Sequence, residues 1–379
     1  MKRMLFTLFV SLLLLFSVVT MTASAEQKSK SPSERPMITS KVATYNMAAG
    51  IGIDGKYNLD RIANTIRDTG ADIIGLQEVD VHWGSRSQYD HTIEKLAEAL
   101  DMHYFFAPIY DLDPEVEGDQ RREYGVGILS KYPIINAYNR EIRRLSTQDS
   151  HPEPVFMPGF LEAQLNIEGE EVWVYVTHLD YRADPAVREM QVDDMLRMMS
   201  EHPYSILVGD LNATPDAPEL TPLFQSFNDA WQGAADGAGY TFPADHPTKR
   251  IDYVLISPRM DVMSTHVTES SASDHLSVTA EISFLEEHSD TVNIMRKIVY
   301  SFAEMDQFTS EEAIRHLSIH LTALEHYEKQ ENKLKMLKHL VNFKTLLDYQ
   351  NENEMISERA YNELFSDAEH LIDKWSDIK

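Results

Sequence analysis

Six short β-rich runs alternate with helical patterns between residues 41 and 256, and this alternation restricts the fold more than any other feature of the sequence. The runs lie at 41–46, 72–77, 125–130, 172–177, 205–209 and 252–256. Helical patterns lie between them at 59–69, 92–100 and 185–200. Chains with this alternation form sheets that are covered by helices. The sequence therefore predicts an α/β or α+β domain.

The first 25 residues have the pattern of a secretory signal peptide. Lys2 and Arg3 precede an apolar run at 5–19, and the small residues that end at Ala25 form a cleavage pattern. An uncleaved membrane anchor is the alternative, but the run is short for a bilayer span and contains Thr and Ser. We expect a secreted, extracellular protein without a stable membrane span, in which a flexible leader at 26–36 precedes a catalytic domain at 37–286.

The charge and the cysteine count exclude several functions. With 61 acidic and 34 basic residues, the chain has a formal net charge of −27. Such a surface repels phosphate backbones and anionic membranes at long range, although a divalent cation in an acidic pocket reverses the field locally. Cysteine is absent, which excludes disulfides, thiolate metal sites and a cysteine nucleophile.

Polar side chains suited to binding a metal or a phosphate recur beside the predicted strands. They are Asn46, Glu78, His178, Asp210, Asn212, Asp252, Asp274 and His275. Each one alone is equally compatible with a solvated loop or a turn. Because functional sites of open sheets collect beyond the strand ends, the whole set predicts one shared pocket.

Three of these positions have distinct chemistry. Glu78 directly follows an apolar strand, where its carboxylate is a good ligand for Mg²⁺ or Mn²⁺. Asp210 and Asn212 lie two residues apart, so both side chains point the same way from an extended segment and can share one ligand. The alternative for this pair is a glycine turn closed by an Asx hydrogen bond.

Asp274 and His275 place a metal-type oxygen beside a titratable imidazole, and Asp252 could fix the tautomer of that imidazole. Hydrolysis of a phosphate ester requires charge neutralisation on the phosphoryl oxygens, an activated water and help for the leaving oxygen. Two histidines, several carboxylates and two asparagines fit this reaction better than acyl transfer or glycoside cleavage.

Seven motifs in order resemble the endonuclease/exonuclease/phosphatase superfamily, which is related to DNase I. They are ATYN, LQE, YGVGILS, THL, GDLNA, RIDY and SDH. The resemblance covers roughly residues 38–284 and implies a four-layer sandwich, in which two packed mixed β-sheets are flanked by helices.

For the metal, the resemblance implies Mg²⁺, with Mn²⁺ as the alternative. Glu78 is similar to the principal metal ligand of the family. Asn46 and Asp274 are similar to the residues that complete or support the metal site.

For catalysis, the resemblance assigns roles to five further residues. Asp210 resembles the residue that orients or deprotonates the attacking water, and His178 and Asn212 resemble the groups that hold the phosphoryl oxygens. His275, oriented by Asp252, resembles the catalytic histidine. Whether Asp210 or His275 takes the proton stays open at this stage.

Polar and charged residues outside the motifs have weaker interpretations. Arg86, Ser87 and Asp90 resemble a pattern in the branch of the superfamily with secreted bacterial hydrolases, and a solvent loop is the alternative. Arg188 and Gln191 are expected to support the His178 loop rather than to touch substrate. We interpret the basic cluster as a solvated surface, its members being Arg121, Arg122, Lys131, Arg140, Arg143 and Arg144.

The C-terminal segment at 290–379 has neither glycine nor proline, and its apolar residues recur at helical spacing. This pattern predicts a bundle of about four helices. The segment resembles the FIMAH domain, a helical module of exported bacterial hydrolases, and docking to an envelope component is a hypothesis for its role.

Together these patterns predict an exported, divalent-metal-dependent phosphoesterase. A secreted nuclease that binds nucleic acid and a phospholipase C-like or sphingomyelinase-like enzyme that acts on a lipid headgroup are the alternatives within this chemistry. The alternative from another class is a non-catalytic envelope-binding protein.

Overall fold

The computed structural model describes most of the chain after residue 37. The described residues are 38–202, 205–232, 234–235, 237–258, 260–284, 291–304 and 307–377. The predicted signal peptide at 1–25 and leader at 26–36 lie outside them. The predicted domain boundaries at 37, 286 and 290 also fall outside the described residues and stay predictions.

Twelve strands, numbered in chain order, form two mixed sheets in the described part of the chain. The first sheet contains β1 (Thr39–Asn46), β2 (Ile73–Val81), β3 (His103–Leu112), β4 (Arg122–Ser130), β11 (Asp261–Thr268) and β12 (Ser277–Ser283). Its strand order is β11-β12-β1-β2-β4-β3. Only β1 and β2 run parallel to each other in this sheet.

The second sheet has the order β5-β6-β7-β8-β10-β9. Its strands are β5 (Ile134–Arg144), β6 (Val155–Ile167), β7 (Glu170–His178), β8 (Ser205–Asp210), β9 (Asn228–Asp229) and β10 (Asp252–Ile256). Only β7 and β8 are parallel here. In each sheet the parallel pair is central, so two strands end at the same edge beside each other.

Helices cover the outer face of each sheet. Apolar side chains of α1 (Leu59–Thr69) and α2 (Thr92–Leu100) share a core with the first sheet. Those of α3 (Ala186–Met199) and α4 (Thr221–Ser226) share a core with the second sheet. A third core lies between the sheets. The predicted four-layer sandwich is confirmed.

Gly75 of β2 marks the closest approach of the two sheets. A Cβ atom at this position would lie 2.4 Å from Cγ2 of Val208 and 3.0 Å from the methyl groups of Val176. Because Val176 and Val208 belong to β7 and β8, the absence of a side chain at Gly75 lets the two parallel strand pairs pack directly on each other.

The C-terminal segment forms four helices with a core of their own, as predicted. They are α5 (Val292–Glu304), α6 (Glu311–Lys329), α7 (Lys333–Glu352) and α8 (Glu358–Asp377). We call them the helical module. Ser310 caps α6, since its side chain accepts a hydrogen bond from the backbone N–H of Ala313.

The helical module contacts the sandwich through α5 and α4. Nζ of Lys297 on α5 donates a hydrogen bond to the carbonyl of Phe227, at 2.8 Å. Ser301 of α5 lies beside a cleft that Ser205, the first residue of β8, also lines. Asp210 is the last residue of β8, so this cleft lies at the end of the strand that is opposite to Asp210.

None of the helices in the described part of the chain has both the length and the apolar character required to cross a membrane.

Candidate active site

Three strand ends bring acidic and imidazole side chains to one edge of the second sheet. His178 of β7 and Asp252 of β10 are both paired in register with Asp210, the last residue of β8. The loop before β12 adds Asp274 and His275 from the first sheet. The site is therefore assembled where the same edges of both sheets meet, as expected for sites beyond strand ends.

A hydrogen-bonded pair fixes the imidazole of His275. Oδ2 of Asp252 lies 3.0 Å from Nδ1 of His275 and accepts a second hydrogen bond from Oγ1 of Thr241, at 2.6 Å. Nε2 of His275 lies 3.7 Å from Oδ2 of Asp210. Ser273 holds the loop, because its hydroxyl donates to the carbonyl of Asn46 and accepts from the N–H of His275.

Burial and neighbouring charge shift two pKa values in this group. Burial, and then the charge of Asp252, raise the pKa of Asp210 to about 6, against opposing effects of His178 and His275. Burial alone would lower the pKa of His275, but the carboxylates of Asp252, Asp210 and Asp274 outweigh it and raise that pKa to about 10. At neutral pH this arrangement favours an ionised Asp210 beside a protonated His275.

His178 and Asn212 lie on the other side of Asp210. Nε2 of His178 lies 3.5 Å from Oδ2 of Asp210. The backbone N–H of Asn212 donates to Oδ1 of Asp210 at 2.9 Å, which is the Asx turn considered for this pair. Asn212 also has a left-handed backbone with φ 51°, and its Nδ2 donates to the carbonyl of Leu179. The two residues that form the Asx turn are thus also residues of the site.

Asn46 joins the carboxylates of the two sheets. Its Nδ2 donates to Oε1 of Glu78 at 3.2 Å and to Oδ2 of Asp210 at 3.1 Å. Its Oδ1 accepts from the backbone N–H of Ala48, at 3.1 Å. That backbone contact fixes the orientation of the amide, because a flipped amide would direct its NH₂ group at another N–H. Asn46 therefore presents donors, and not its oxygen, to the two carboxylates.

A β-bulge directs Glu78 into the site. Leu76 of β2 pairs with Gly127, while Val79 pairs with Gly125, so β2 contains one extra residue between these positions. Glu78 lies in this bulge with φ 56°, in the left-handed region. The bulge reverses the alternation of the strand, as bulges beside active sites commonly do.

Six of the eight predicted site residues line a cavity of about 610 Å³, namely Glu78, His178, Asp210, Asn212, Asp274 and His275. The other two, Asn46 and Asp252, are buried behind the lining, each with about 1 % of its surface exposed. The structure thus brings the whole predicted set together.

Two arrangements of these residues could hold a cation. The ligand atoms of Asp210, Asp252 and His275 lie within 4.8 Å of one another, which is close enough for a shared metal ion. Glu78 and Asp274 are two further carboxylates that line the cavity, and the third, Asp180, pairs with Arg182. Oxygen-rich donor sets of this kind suit hard divalent cations.

Aromatic residues that sequence reasoning did not assign to the site form one wall of the cavity. These residues are Trp83, Tyr110 and Tyr124, and we call them the aromatic wall. Their ring centroids lie 5.5 to 6.3 Å apart. The guanidinium of Arg86 lies over Trp83 and Tyr124 and forms a two-pronged pair with Asp80, which has 0 % exposure. Ser87 is also buried, which excludes a solvent loop for this residue.

The basic cluster divides into surface and buried members. Arg121 is half exposed and pairs with Asp111 on the surface, as the solvated interpretation requires. That interpretation is wrong for Arg144, which is 6 % exposed and lines the cavity. Its side chain turns inward from the end of β5, where it donates to the carbonyls of His178 and Gly159.

Arg188 and Gln191 support the segment that follows His178, as predicted. Oε1 of Gln191 accepts from the backbone N–H of Asp180 at 2.9 Å, and Nη1 of Arg188 donates to the carbonyl of Asp180 at 3.0 Å. Gln191 also lines the cavity.

Comparison with known proteins agrees with this architecture. The model of the Endonuclease/Exonuclease/phosphatase family matches residues 43–275, and that of the FIMAH domain matches residues 292–373. An endonuclease/exonuclease/phosphatase from Beutenbergia cavernae, solved by crystallography, is 26 % identical, with a TM-score of 0.53 over 65 % of this chain and 72 % of that one.

Two further proteins are similar to this chain. A family protein from Leptotrichia buccalis shares the fold, with 19 % identity and a TM-score of 0.50 over 65 % of this chain and 100 % of that one. Protein cwh43 of Schizosaccharomyces pombe is 27 % identical over 148 residues, which are 39 % of this chain. The match spans only 13 % of the length of that yeast protein.

The family match covers well over half of the chain, and the matched segment contains every residue of the site described above. The chain belongs to the endonuclease/exonuclease/phosphatase family, whose members are hydrolases that act on phosphoester bonds.

Proposed function

We propose that this protein is an exported, divalent-metal-dependent phosphoesterase that hydrolyses a phosphodiester or phosphomonoester by attack of water. One observation carries the proposal: Asp252, His275 and Asp210 follow one another in contact at the base of the cavity, with Asn46 linking Asp210 to Glu78. A purely structural core would not require so many polar groups beside one cavity.

Glu78 and Asp274 fit a hard divalent cation better than the group formed by Asp210, Asp252 and His275. Both carboxylates line the cavity, and among the described residues neither forms an ion pair. Oδ2 of Asp252, by contrast, already accepts hydrogen bonds from Thr241 and His275. A cation held by Glu78 and Asp274, Mg²⁺ or Mn²⁺, would neutralise charge on the phosphoryl oxygens.

The remaining residues have roles that follow from their contacts. We assign Asp210 to orient the attacking water and take its proton, because its Oδ2 faces the cavity between the two histidines. His178 and Asn212 donate hydrogen bonds to the phosphoryl oxygens. His275, held through Nδ1 by Asp252, presents Nε2 to the reacting group.

The test is hydrolysis of bis(4-nitrophenyl) phosphate and of 4-nitrophenyl phosphate by the purified protein in Mg²⁺. Asp210→Asn and His275→Ala should each lose turnover, while Asp68→Asn on the exposed surface of α1 is the matched control. Full activity in a folded Asp210→Asn, His275→Ala double variant would overturn the assignment. A second assay with supercoiled plasmid distinguishes a nuclease from an enzyme that acts on headgroup phosphodiesters.

Export and the partner of the helical module are separate proposals. The pattern at 1–25 supports cleavage after Ala25, and Edman or mass-spectrometric sequencing of the exported protein should find Glu26 at its N-terminus. An N-terminus at Met1 would contradict cleavage.

We also propose that the module docks to an envelope component. Binding of the isolated envelope fraction should be lost when 290–379 are removed.

A further inference from the structure

Arg144 is a buried cation that forms no ion pair with a carboxylate in the described part of the chain. Only 6 % of its surface is exposed, and it lies in the lining of the active-site cavity. Nη1 donates to the carbonyl of His178 and Nη2 to that of Gly159, both at 2.9 Å. Its Nε has no hydrogen-bond acceptor, and among the described residues no acidic side chain forms an ion pair with it.

The backbone is shaped to hold this guanidinium. Gly159 has φ +107°, a conformation that favours glycine, and a Cβ there would lie 2.1 Å from Cγ1 of Ile109. The carbonyl of this constrained glycine is one of the two acceptors of Arg144. Carbonyl acceptors orient the guanidinium but leave its full positive charge uncompensated.

Burial dominates the electrostatics of Arg144. It lowers the pKa of the guanidinium to about 10, against the opposing effects of Tyr110, Asp180 and Tyr124. Asp180 already forms an ion pair with Arg182. Arg86, the other guanidinium in the lining, is neutralised by Asp80. Arg144 is thus the uncompensated arginine of the two, and unpaired buried charge is costly unless a ligand compensates it.

Arg144 is displaced from the reacting group. It belongs to β5 and reaches the carbonyl of His178 on β7, whereas Asp210 lies on β8 at the other side of β7. Neighbouring strands are separated by about 4.8 Å. The strand order thus puts β5, which carries Arg144, and β8, which carries Asp210, on opposite sides of β7, and we assign an anion at Arg144 to a second group beside the phosphoryl group placed between His178, Asp210 and His275.

The aromatic wall lies beside Arg144. Tyr110 and Tyr124 are close enough to influence its pKa. The hydroxyl of Tyr110 accepts a hydrogen bond of 2.7 Å from the backbone N–H of Thr147, three residues after Arg144. Stacked phenol rings next to an unpaired cation form a surface for an organic group that carries negative charge.

We propose that Arg144 binds a second anionic group of the substrate, and that the part of the substrate that carries this group lies against Trp83, Tyr110 and Tyr124. The substrate is then a small phosphate ester with two anionic groups. This inference rests on the proposed function, because it takes the phosphoester as the first of the two groups.

Binding of matched ligand pairs to the full chain, treated with chelator and followed by calorimetry, tests the proposal without turnover. Thymidine 3′,5′-bisphosphate is compared with thymidine 5′-monophosphate, and O-phosphoserine with O-phosphoethanolamine. Each pair differs by one anionic group, a phosphate in the first and a carboxylate in the second. Because the net charge of the chain is −27, an added anion should weaken binding unless a cation recognises it.

We expect the wild type to prefer the more anionic ligand of at least one pair by about 10- to 100-fold, the range for hydrogen bonds to charged groups. The pair that shows the preference identifies a nucleotide or a headgroup source. Arg144→Met should lose the preference, and Arg144→Lys should keep part of it. Arg121→Met, the same change at an exposed arginine, should keep all of it.

Two results would overturn the proposal. One is that the wild type binds both members of each pair equally or prefers the less anionic ones. This result is measured on the wild type alone and does not depend on the folding of any variant. The other is a preference that survives in Arg144→Met. Failure of the proposed function has a different readout, since it would appear as absent hydrolysis of the 4-nitrophenyl esters while the ligand preference persists.

Discussion

Asp252 holds His275 by a hydrogen bond of 3.0 Å between Oδ2 and Nδ1, and both residues are buried. The same oxygen accepts from Thr241, so the carboxylate cannot rotate without breaking a second contact. With Nδ1 engaged, Nε2 is the ring nitrogen that faces Asp210. Asp252 is therefore a positioning residue that acts through the imidazole.

Asp252→Asn should lower kcat by about 10²- to 10⁴-fold and leave KM nearly unchanged, because the neutral amide no longer stabilises the protonated imidazole and Asp252 does not line the cavity. Steady-state kinetics on bis(4-nitrophenyl) phosphate measure both constants. Thr241→Val is the control, since it removes one hydrogen bond to the carboxylate of Asp252 but keeps that carboxylate, and about a tenfold loss is expected. Equal losses in the two variants would contradict the role of the carboxylate.

Chelation of divalent cations should abolish turnover, and Mg²⁺ or Mn²⁺ should restore it, because phosphoryl charge then lacks its neutralising cation. Glu78→Gln should raise the Mn²⁺ concentration for half-maximal binding by about tenfold or more, as calorimetry would show. Glu117→Gln, at an exposed position, is the matched control. Turnover that resists the chelator would exclude the metal mechanism.

Removal of residues 290–379 should leave kcat/KM on 4-nitrophenyl phosphate esters within about threefold of the full chain. The helical module has its own hydrophobic core, and it shares a cleft with the end of β8 that is opposite to Asp210. Circular dichroism of the truncated chain checks that the sandwich stays folded. A folded truncation without turnover would show that the module takes part in the chemistry.

The stability of the wild type should rise between about pH 8 and 10.5 relative to Lys297→Met. Burial lowers the pKa of Lys297 from 10.5 to about 8, against the attraction of Asp229, the charged group that faces it. The unfolded chain therefore binds more protons in this window, so raising the pH favours the folded state. The gain should be about 2 kcal/mol or less. Urea unfolding of both proteins at pH 8 and 10 measures it, and a constant difference would contradict the shift.

Gly75→Ala should destabilise the protein by about 1 to 3 kcal/mol, because the new methyl group would overlap Val208 and Val176 between the two sheets. Gly84→Ala is the matched control, since no atom lies within 4 Å of a Cβ placed there and its φ of 172° is extended. Thermal unfolding of both variants measures the difference. If the two melt alike, the sheets are less closely packed at Gly75 than described.

Half of the strands were predictable because their apolar runs are continuous. All six predicted runs fall on strands, and α1 and α2 have the predicted bounds. Six strands lie outside these runs, namely β3, β5, β6, β9, β11 and β12. Of these, β5 and β11 lie at sheet edges and expose charged or polar side chains along much of their length, as at Arg140 and Asp261, so their sequences lack a continuous apolar pattern.

The candidate site was predictable where a residue belongs to a local motif, and not where its position depends on distant contacts. All eight predicted residues meet at the cavity or directly behind it. Thr241 acts on Asp252 from the preceding loop, and Arg144 reaches a carbonyl 34 residues away. The prediction put Arg144 on the surface from its charge alone, because the sequence does not show in which direction the side chain at the end of an edge strand points.

Because of the bulge, the site depends on the number of residues in β2 and not only on which side chains they carry. Before it, Leu76 points toward the helices, and after it Val79 does so, while Glu78 points to the cavity. Deleting one residue here would restore strict alternation and bring Val79 to the position of Glu78. Relatives that retain the acid should therefore retain the extra residue, so that insertions and deletions are tolerated on either side of this strand but not within it.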